Sequence, residues 1–143
     1  MIALDRQQAI LTATVAALGA DAELSGLVGW RIYDAAPGRL ITPALTLKLV
    51  SAADASTADT EAQQLVFDVD VWDRYALATD LSRPRAVMGH VRRILHLQPL
   101  TVVGCNLILL RCTTARGPFR DPDDITLHGV VSVTALAGHE VAG

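Results

Sequence analysis

The sequence predicts an α+β fold: a mostly antiparallel sheet of four to five strands with helices packed on one face, in the order α-β-β-β-α-β-β. Three observations predict it. Runs with period-two alternation adjoin one another, PALTLKLV and then LVFDVDVWDR in the first half and two further apolar runs after residue 105. Between these pairs, Leu77, Leu81, Val87, Met88, Val91, Ile94 and Leu95 recur at three- and four-residue steps, the period of an amphipathic helix. Neighbouring strands interrupted by a single helix indicate hairpin-like pairing with the helices gathered on one side.

The elements follow in chain order. Asp5 is placed to cap a helix that ends at Gly19, with Ile10, Leu11, Val15 and Leu18 as its apolar stripe. Asp21 caps a short second turn through Glu23 and Leu24, and Trp30 to Tyr33 forms a short strand. Residues 35–42 hold Pro37 and Gly38 and read as loop. Pro43 opens a second strand, where its missing N–H costs little, with Leu45, Leu47 and Leu49 on one face and Thr46 and Lys48 on the other. Ser51 to Thr60 carries no large apolar side chain and reads as a long mobile hairpin loop.

The third strand alternates without error. Leu65, Phe67, Val69 and Val71 fall on one face, and Val66, Asp68, Asp70 and Trp72 on the other. Two ionised carboxylates cannot be buried unpaired, so this second face must meet water, a partner or a wet channel.

For the second helix, Ser82 is the expected N-cap, with Pro84 in the first turn, where no N–H is required. Residues before Ser82 form a separate turn, and Gln98-Pro99 ends the helix. Asn106 to Thr114 is apolar on both faces through Leu107, Ile108, Leu109 and Leu110, which suggests a central or doubly covered strand. The stretch ARGPFRDPDDI is too polar and Pro-rich for regular structure. Thr126 to Leu136 then places Leu127, Val131, Val133 and Ala135 opposite Thr126, His128, Ser132 and Thr134.

Composition narrows the classes. A chain of 143 residues reads as one domain, 1–143, able to bury roughly 68–70% of its unfolded surface. Hydrophobic residues at 51% and charged ones at 19% exclude a disordered chain. With aromatics at 4%, the core must be built from Leu, Val, Ile and Ala. The net charge of −3 lacks the basic footprint of a general nucleic-acid binder. The N-terminal stretch lacks the basic-then-apolar order of a signal peptide, and no stretch is long enough to span a bilayer. The expectation is a soluble protein made inside the cell, without a membrane partner. Cys105 and Cys112, an odd seven positions apart on one expected strand, point to opposite faces and act as small apolar side chains in a reduced compartment.

No residue pattern carries catalysis. The four histidines, His90, His96, His128 and His139, show neither i,i+4 pairing nor an acid at metal-ligand spacing, so no metal or cofactor is expected. His90 and His96 read as helix-surface residues. Cys112 has only Arg111 near it in sequence to activate a thiolate, and a structural thiol is the better reading. Asp68 and Asp70 have the right side for paired-carboxylate or divalent-ion chemistry; a solvated face partly neutralised by Lys48 on the neighbouring strand, or a purely electrostatic role, is the better reading. No glycine pattern fits a phosphate loop. Arg83, Arg85, Arg92 and Arg93 line the polar side of the second helix without interleaved aromatics.

Taken together, the opening helix, DAELSGLVGWRIYDAAP, PALTLKLV, a loop, and LVFDVDVWDR feeding an arginine-bearing helix resemble the tail-completion or tail-terminator family. That family is found in long-tailed phages and phage-derived gene transfer agents. The closing DPDDITLHGVVSVTAL is similar to the family's last strand, and the resemblance covers nearly the whole chain. Pro84 is a departure, since such helices usually run unbroken. The resemblance implies a non-enzymatic virion protein at the head-tail junction. It implies a ring, commonly a hexamer, that caps the tail tube and joins it to head-completion (adaptor) proteins, with DNA only as passing cargo. It also implies that the sheet lines the lumen and the helices face outward. Asp68, Asp70 and Lys48 are then lumen-facing. The polar loops holding Asp54, Thr57 and Asp59, and Phe119, Arg120 and Asp121, are then contact surfaces for the tube or the adaptor. The alternative is a small dimeric α+β ligand-binding or regulatory domain, marked by a concave apolar pocket that the sequence does not supply.

Overall fold

The computed structural model describes residues 3–74, 81–123 and 125–140. Helices α1 (Ala3–Ala20), α2 (Ala22–Val28) and α3 (Ser82–Leu95) combine with strands β1 (Ile32–Tyr33), β2 (Ala44–Asp54), β3 (Thr60–Arg74), β4 (Asn106–Arg120) and β5 (Thr126–Glu140). The strands make one sheet in the order β1-β2-β3-β5-β4. The two-residue β1 runs parallel to β2, and the other pairings are antiparallel. The fold class is the expected α+β, with a sheet that is mixed through its shortest strand.

β3 organises the core. Leu65, Phe67, Val69 and Val71 are each at most 1% exposed. They pack with Leu45 and Leu47 of β2 and with Val131, Val133 and Ala135 of β5. The helices close over this face with Ile10, Leu11 and Leu18 of α1, Leu24 and Val28 of α2, and Val87, Val91 and Leu95 of α3. Each fully buried aliphatic or Phe side chain contributes about 1.5–3 kcal/mol, so the period-two and period-3.6 patterns converge on one apolar layer.

Helix boundaries differ from the sequence reading at three points. α1 is already helical at Ala3, so Asp5 lies within it and does not cap it. Asp21 does cap α2, its Oδ1 accepting from Leu24 N–H at 3.0 Å. However, α2 runs a full seven residues to Val28, so the strand that follows shrinks to Ile32–Tyr33. Gly29 at φ 62° stops the helix, its N–H donating to Ser25 O at 2.8 Å, a backbone conformation that favours glycine. At α3, Leu81 holds the N-cap position without a side-chain cap bond, and Ser82 is the first helical residue. Pro84 sits buried in the first turn, where no donor is missed. Leu77 and the separate turn expected before Ser82 lie outside the described residues, apart from Leu81.

Three loop and strand readings are corrected. Residues 51–54 continue β2, paired with β3 through Ala52↔Leu65 and Asp54↔Gln63; the partner strand supplies the bulk that these small residues lack. The connection is therefore the five residues 55–59, held by Ser56 Oγ and Thr57 hydrogen bonds, and is shorter than the expected Ser51–Thr60 loop. β4 continues through the Pro-rich stretch to Arg120. It can do so because it is the sheet's edge, where a proline loses no ladder bond, and because Gly117 at φ 88° absorbs an extra residue between Arg116 and Phe119. The apolar run in β4 is accordingly neither central nor doubly covered: Ile108 is 53% exposed and Leu109 41%. Ile108 is an extra residue between Leu107↔Ala137 and Leu109↔Leu136. This bulge changes the alternation, so that half-buried Cys105, just before β4, and buried Cys112 both pack on the core instead of facing apart.

Among the described residues no single helix is long and apolar enough to cross a membrane.

Candidate functional site on the open face of the sheet

The face of β3 turned away from the apolar layer carries the residues singled out in the sequence, and the register assembles them into rows. Lys48, Asp68, Ser132 and Thr114 are successive Cα partners across β2, β3, β5 and β4. The next row along is Thr46, Asp70, Val130 and Arg116, and the one beyond is Ala44, Trp72, His128 and Phe119. Cross-strand neighbours on one face lie about 4.5–5.5 Å apart at Cβ, so these residues share a single surface.

Their bonding differs within the face. Ser132 Oγ donates to Asp68 Oδ1 at 2.7 Å, and Asp68 stays half-buried beside exposed Lys48. Asp70 is only 9% exposed, because His128 Nε2–H donates to its Oδ1 at 2.9 Å and the imidazole lies flat on Trp72. Trp72 Nε1–H in turn donates to Thr46 Oγ1 at 2.9 Å. The two carboxylates are thus not equivalent: Asp68 faces solvent, and Asp70 is the covered member of a His-Trp-Thr network. Thr46, Trp72, His128 and Ser132 escaped the sequence reading as site residues. Their types marked a polar strand face, and only register brings them onto the aspartates.

Charge on this face is mixed. Arg111, opposite Thr134, and Arg116, opposite Val130, lie on it through β4 and are both exposed. With Lys48 they place three cations around two carboxylates.

The loop residues fall at opposite ends of the sheet. Asp54 closes β2, and Thr57 and Asp59 sit in the 55–59 turn, beside the Thr60 end of β3. Phe119 and Arg120 close β4 and Asp121 follows, beside the Arg74 end, since Arg74 pairs with Thr126 and Arg120 with Leu127. The 15 residues of β3 separate the two ends by roughly 45–50 Å at about 3.3 Å per residue.

Two arginines of α3 are anchors and not merely a solvated stripe. Arg83 binds both carboxylate oxygens of Asp73, which is 1% exposed, and this contact raises the Arg83 pKa. Arg93 binds both oxygens of the α2 cap Asp21 at 2.9 Å, holding that carboxyl below its usual range together with the Leu24 N–H. His90 receives Arg93 Nη2–H at 3.1 Å, and His96 Nδ1 accepts from Cys112 N–H at 3.1 Å, tying the end of α3 to β4. Burial pushes the Cys112 thiol up to about 11, with Arg92 pulling weakly the other way; such a thiol is a poor nucleophile at neutral pH. No group of three or more metal-ligating side chains occurs among the described residues.

Helices on one side, hydrogen-bonded and stacked polar rows on the other, and polar turns at both ends define a structural α+β module whose chemistry is that of an extended surface. Residues 12–138 match the family described as Tail completion protein gp17. The chain belongs to this tail-completion family and is a virion component, as the resemblance in the sequence implied. Among solved structures it is similar to a chain in the "Virion of native gene transfer agent (GTA) particle". That chain is 25% identical with a TM-score of 0.81, and the match covers 93% of this chain and 97% of the other. The curated proteins contain no match.

Proposed function

We propose that the chain forms a ring at the end of the tail tube, joins the tube to the head-completion proteins, and leaves a channel for DNA. A hexamer is the number the family resemblance implies. Family membership and structural similarity, over nearly the whole length, to a chain of a gene transfer agent virion support a tail role. The observation that carries the connector reading is the placement of the two polar turns. With Asp54, Thr57 and Asp59 at one end of the sheet and Phe119, Arg120 and Asp121 at the other, the domain of residues 1–143 offers separate surfaces to a tube below and an adaptor above.

In this reading the open face lines the channel, with Lys48, Asp68 and Asp70 directed toward it. Phosphates bind to unneutralised Lys and Arg, and this face carries Lys48, Arg111 and Arg116. Asp68 and Asp70 offset those cations and keep passing DNA from adhering. The test is the double variant Asp68→Asn/Asp70→Asn in assembled particles. The face then becomes basic, and DNA delivery is expected to fall while particle yield holds. Normal delivery at normal yield would remove the channel-lining role.

A further inference from the structure

The connection from α3 to β4 folds back along the β4 edge. Leu97 N–H donates to Leu110 O at 2.8 Å, and Cys112 N–H donates to His96 Nδ1 at 3.1 Å. At this level the flank of the sheet therefore offers side chains and no open backbone ladder. Those side chains are apolar. Leu97, Pro99, Ile108 and Leu109 are exposed and, with Gln98, Leu107 and Leu110, line a groove of about 250 Å³. Small-molecule sites begin near about 300 Å³, so this recess has the size for one or two protein side chains. Its rim is cationic. The stretch from Ser82 to Arg120 holds seven arginines and no acid. Arg83 and Arg93 are tied to Asp73 and Asp21, while Arg111 directly follows the groove and Arg92 lies close enough to Cys112 to act on its thiol.

The opposite flank carries the complement at the same level. Leu109 and Leu110 stand level with Gln64 and Leu65 of β3, through Leu136 and Ala135 of β5. On β2, Val50 is the extra residue between Leu49↔Phe67 and Ser51↔Val66, and Asp54 pairs with Gln63. Val50 is 53% exposed. Asp54 and Asp59 are exposed just beyond it, and Lys48 stands two residues before it. Rotation about an axis lying roughly along the strands keeps these levels. Copies placed side by side in a ring therefore bring the Val50 flank of one against the groove of the next, apolar side chain to apolar recess and carboxylates to arginines. DNA would answer the arginines and leave the recess unfilled. Heterologous contacts of this kind close into rings when the rotation permits.

We propose that neighbouring copies interlock by side chains: Val50 of one seats in the groove of Leu97, Ile108 and Leu109 of the next, with Asp54 and Asp59 facing Arg92 and Arg111. This rests on the ring reading above and assigns its subunit contact. The test places a diazirine-bearing aliphatic residue at position 50, irradiates assembled tail particles and maps the joined peptides by mass spectrometry. The expected result is a ladder of joined copies up to the full ring, with adducts on residues 97–110 of a second copy. Leu97→Glu, at an exposed position, should melt as the parent chain does and form no ring; if it fails to fold, the adducts alone decide. A full ring by native mass measurement whose adducts lie outside the groove, or a full ring formed by Leu97→Glu, would overturn this contact and leave the ring standing. Adducts joining position 50 to position 50 would show like flanks meeting, and would also overturn it. Parent particles that yield neither ring nor adducts would dispose of the ring reading itself.

Discussion

Trp72 and His128, 56 positions apart in sequence, lie ring on ring with centroids 4.0 Å apart and planes 4° from parallel. They are direct cross-strand partners in the β3–β5 ladder, and the imidazole edge also donates to Asp70. One side chain thus joins the aromatic and acidic parts of the open face.

Replacing His128 by Ala removes the stack, worth about 0.5–1.5 kcal/mol, and deprives Asp70 of its donor, at about 1–3 kcal/mol. The expected loss is about 2–3 kcal/mol in denaturant unfolding, with partial recovery in His128→Ala/Asp70→Asn. If the stability of His128→Ala matched that of the parent chain, the network would be ornamental.

Arg83 fixes the start of α3 to the end of β3 through Asp73. Arg83→Ala leaves a carboxylate that is 1% exposed with only the Arg74 N–H as a remaining described donor. A destabilisation of about 1–3 kcal/mol follows, reduced by the exposure of the arginine itself. Asp73→Asn/Arg83→Ala should recover part of it in a double-mutant cycle.

Cys112 gives a pH dependence with a definite sign. Its thiol ionises near 9.0 in the unfolded chain and only near about 11 in the folded protein. The folded state therefore keeps its proton longer. The contribution is whole below pH 9 and is lost as pH rises toward 11, at up to about 1.4 kcal/mol per pH unit. The stability difference between the parent and Cys112→Ala should narrow across that interval. A difference that stays constant from pH 8 to 11 would refute the assignment.

The turn at 55–59 can be shortened without touching a strand. Replacing it by a two-residue turn should leave folding within about 1 kcal/mol of the parent and abolish joining of tails to partners. Equal yields of joined particles would remove Thr57 and Asp59 from the contact surface.

Local periodicity made much of this architecture legible. The Leu65–Val71 alternation located the core strand, and the Val87–Leu95 stripe located the helix that covers it. Strand ends are illegible locally where partners decide them. The small residues 51–54 are strand because Gln63–Val66 pair with them, and residues 115–120 are strand because β5 continues beside them. Bulges at Val50 and Ile108 were equally hidden, since one inserted residue leaves no compositional mark. At the site, Asp68 and Asp70 announced themselves by interrupting an apolar strand, but His128 and Ser132 depend on a register that no local pattern encodes.

The division of β3 into two unlike faces also bears on redesign. Positions 65, 67, 69 and 71 are locked by packing, whereas 48, 68 and 132 stand in one row across the sheet and leave the apolar layer alone. A library randomised at the latter three positions would sample new surface chemistries on an unchanged scaffold. In the proposed ring, every accepted substitution would recur at the same height around the channel.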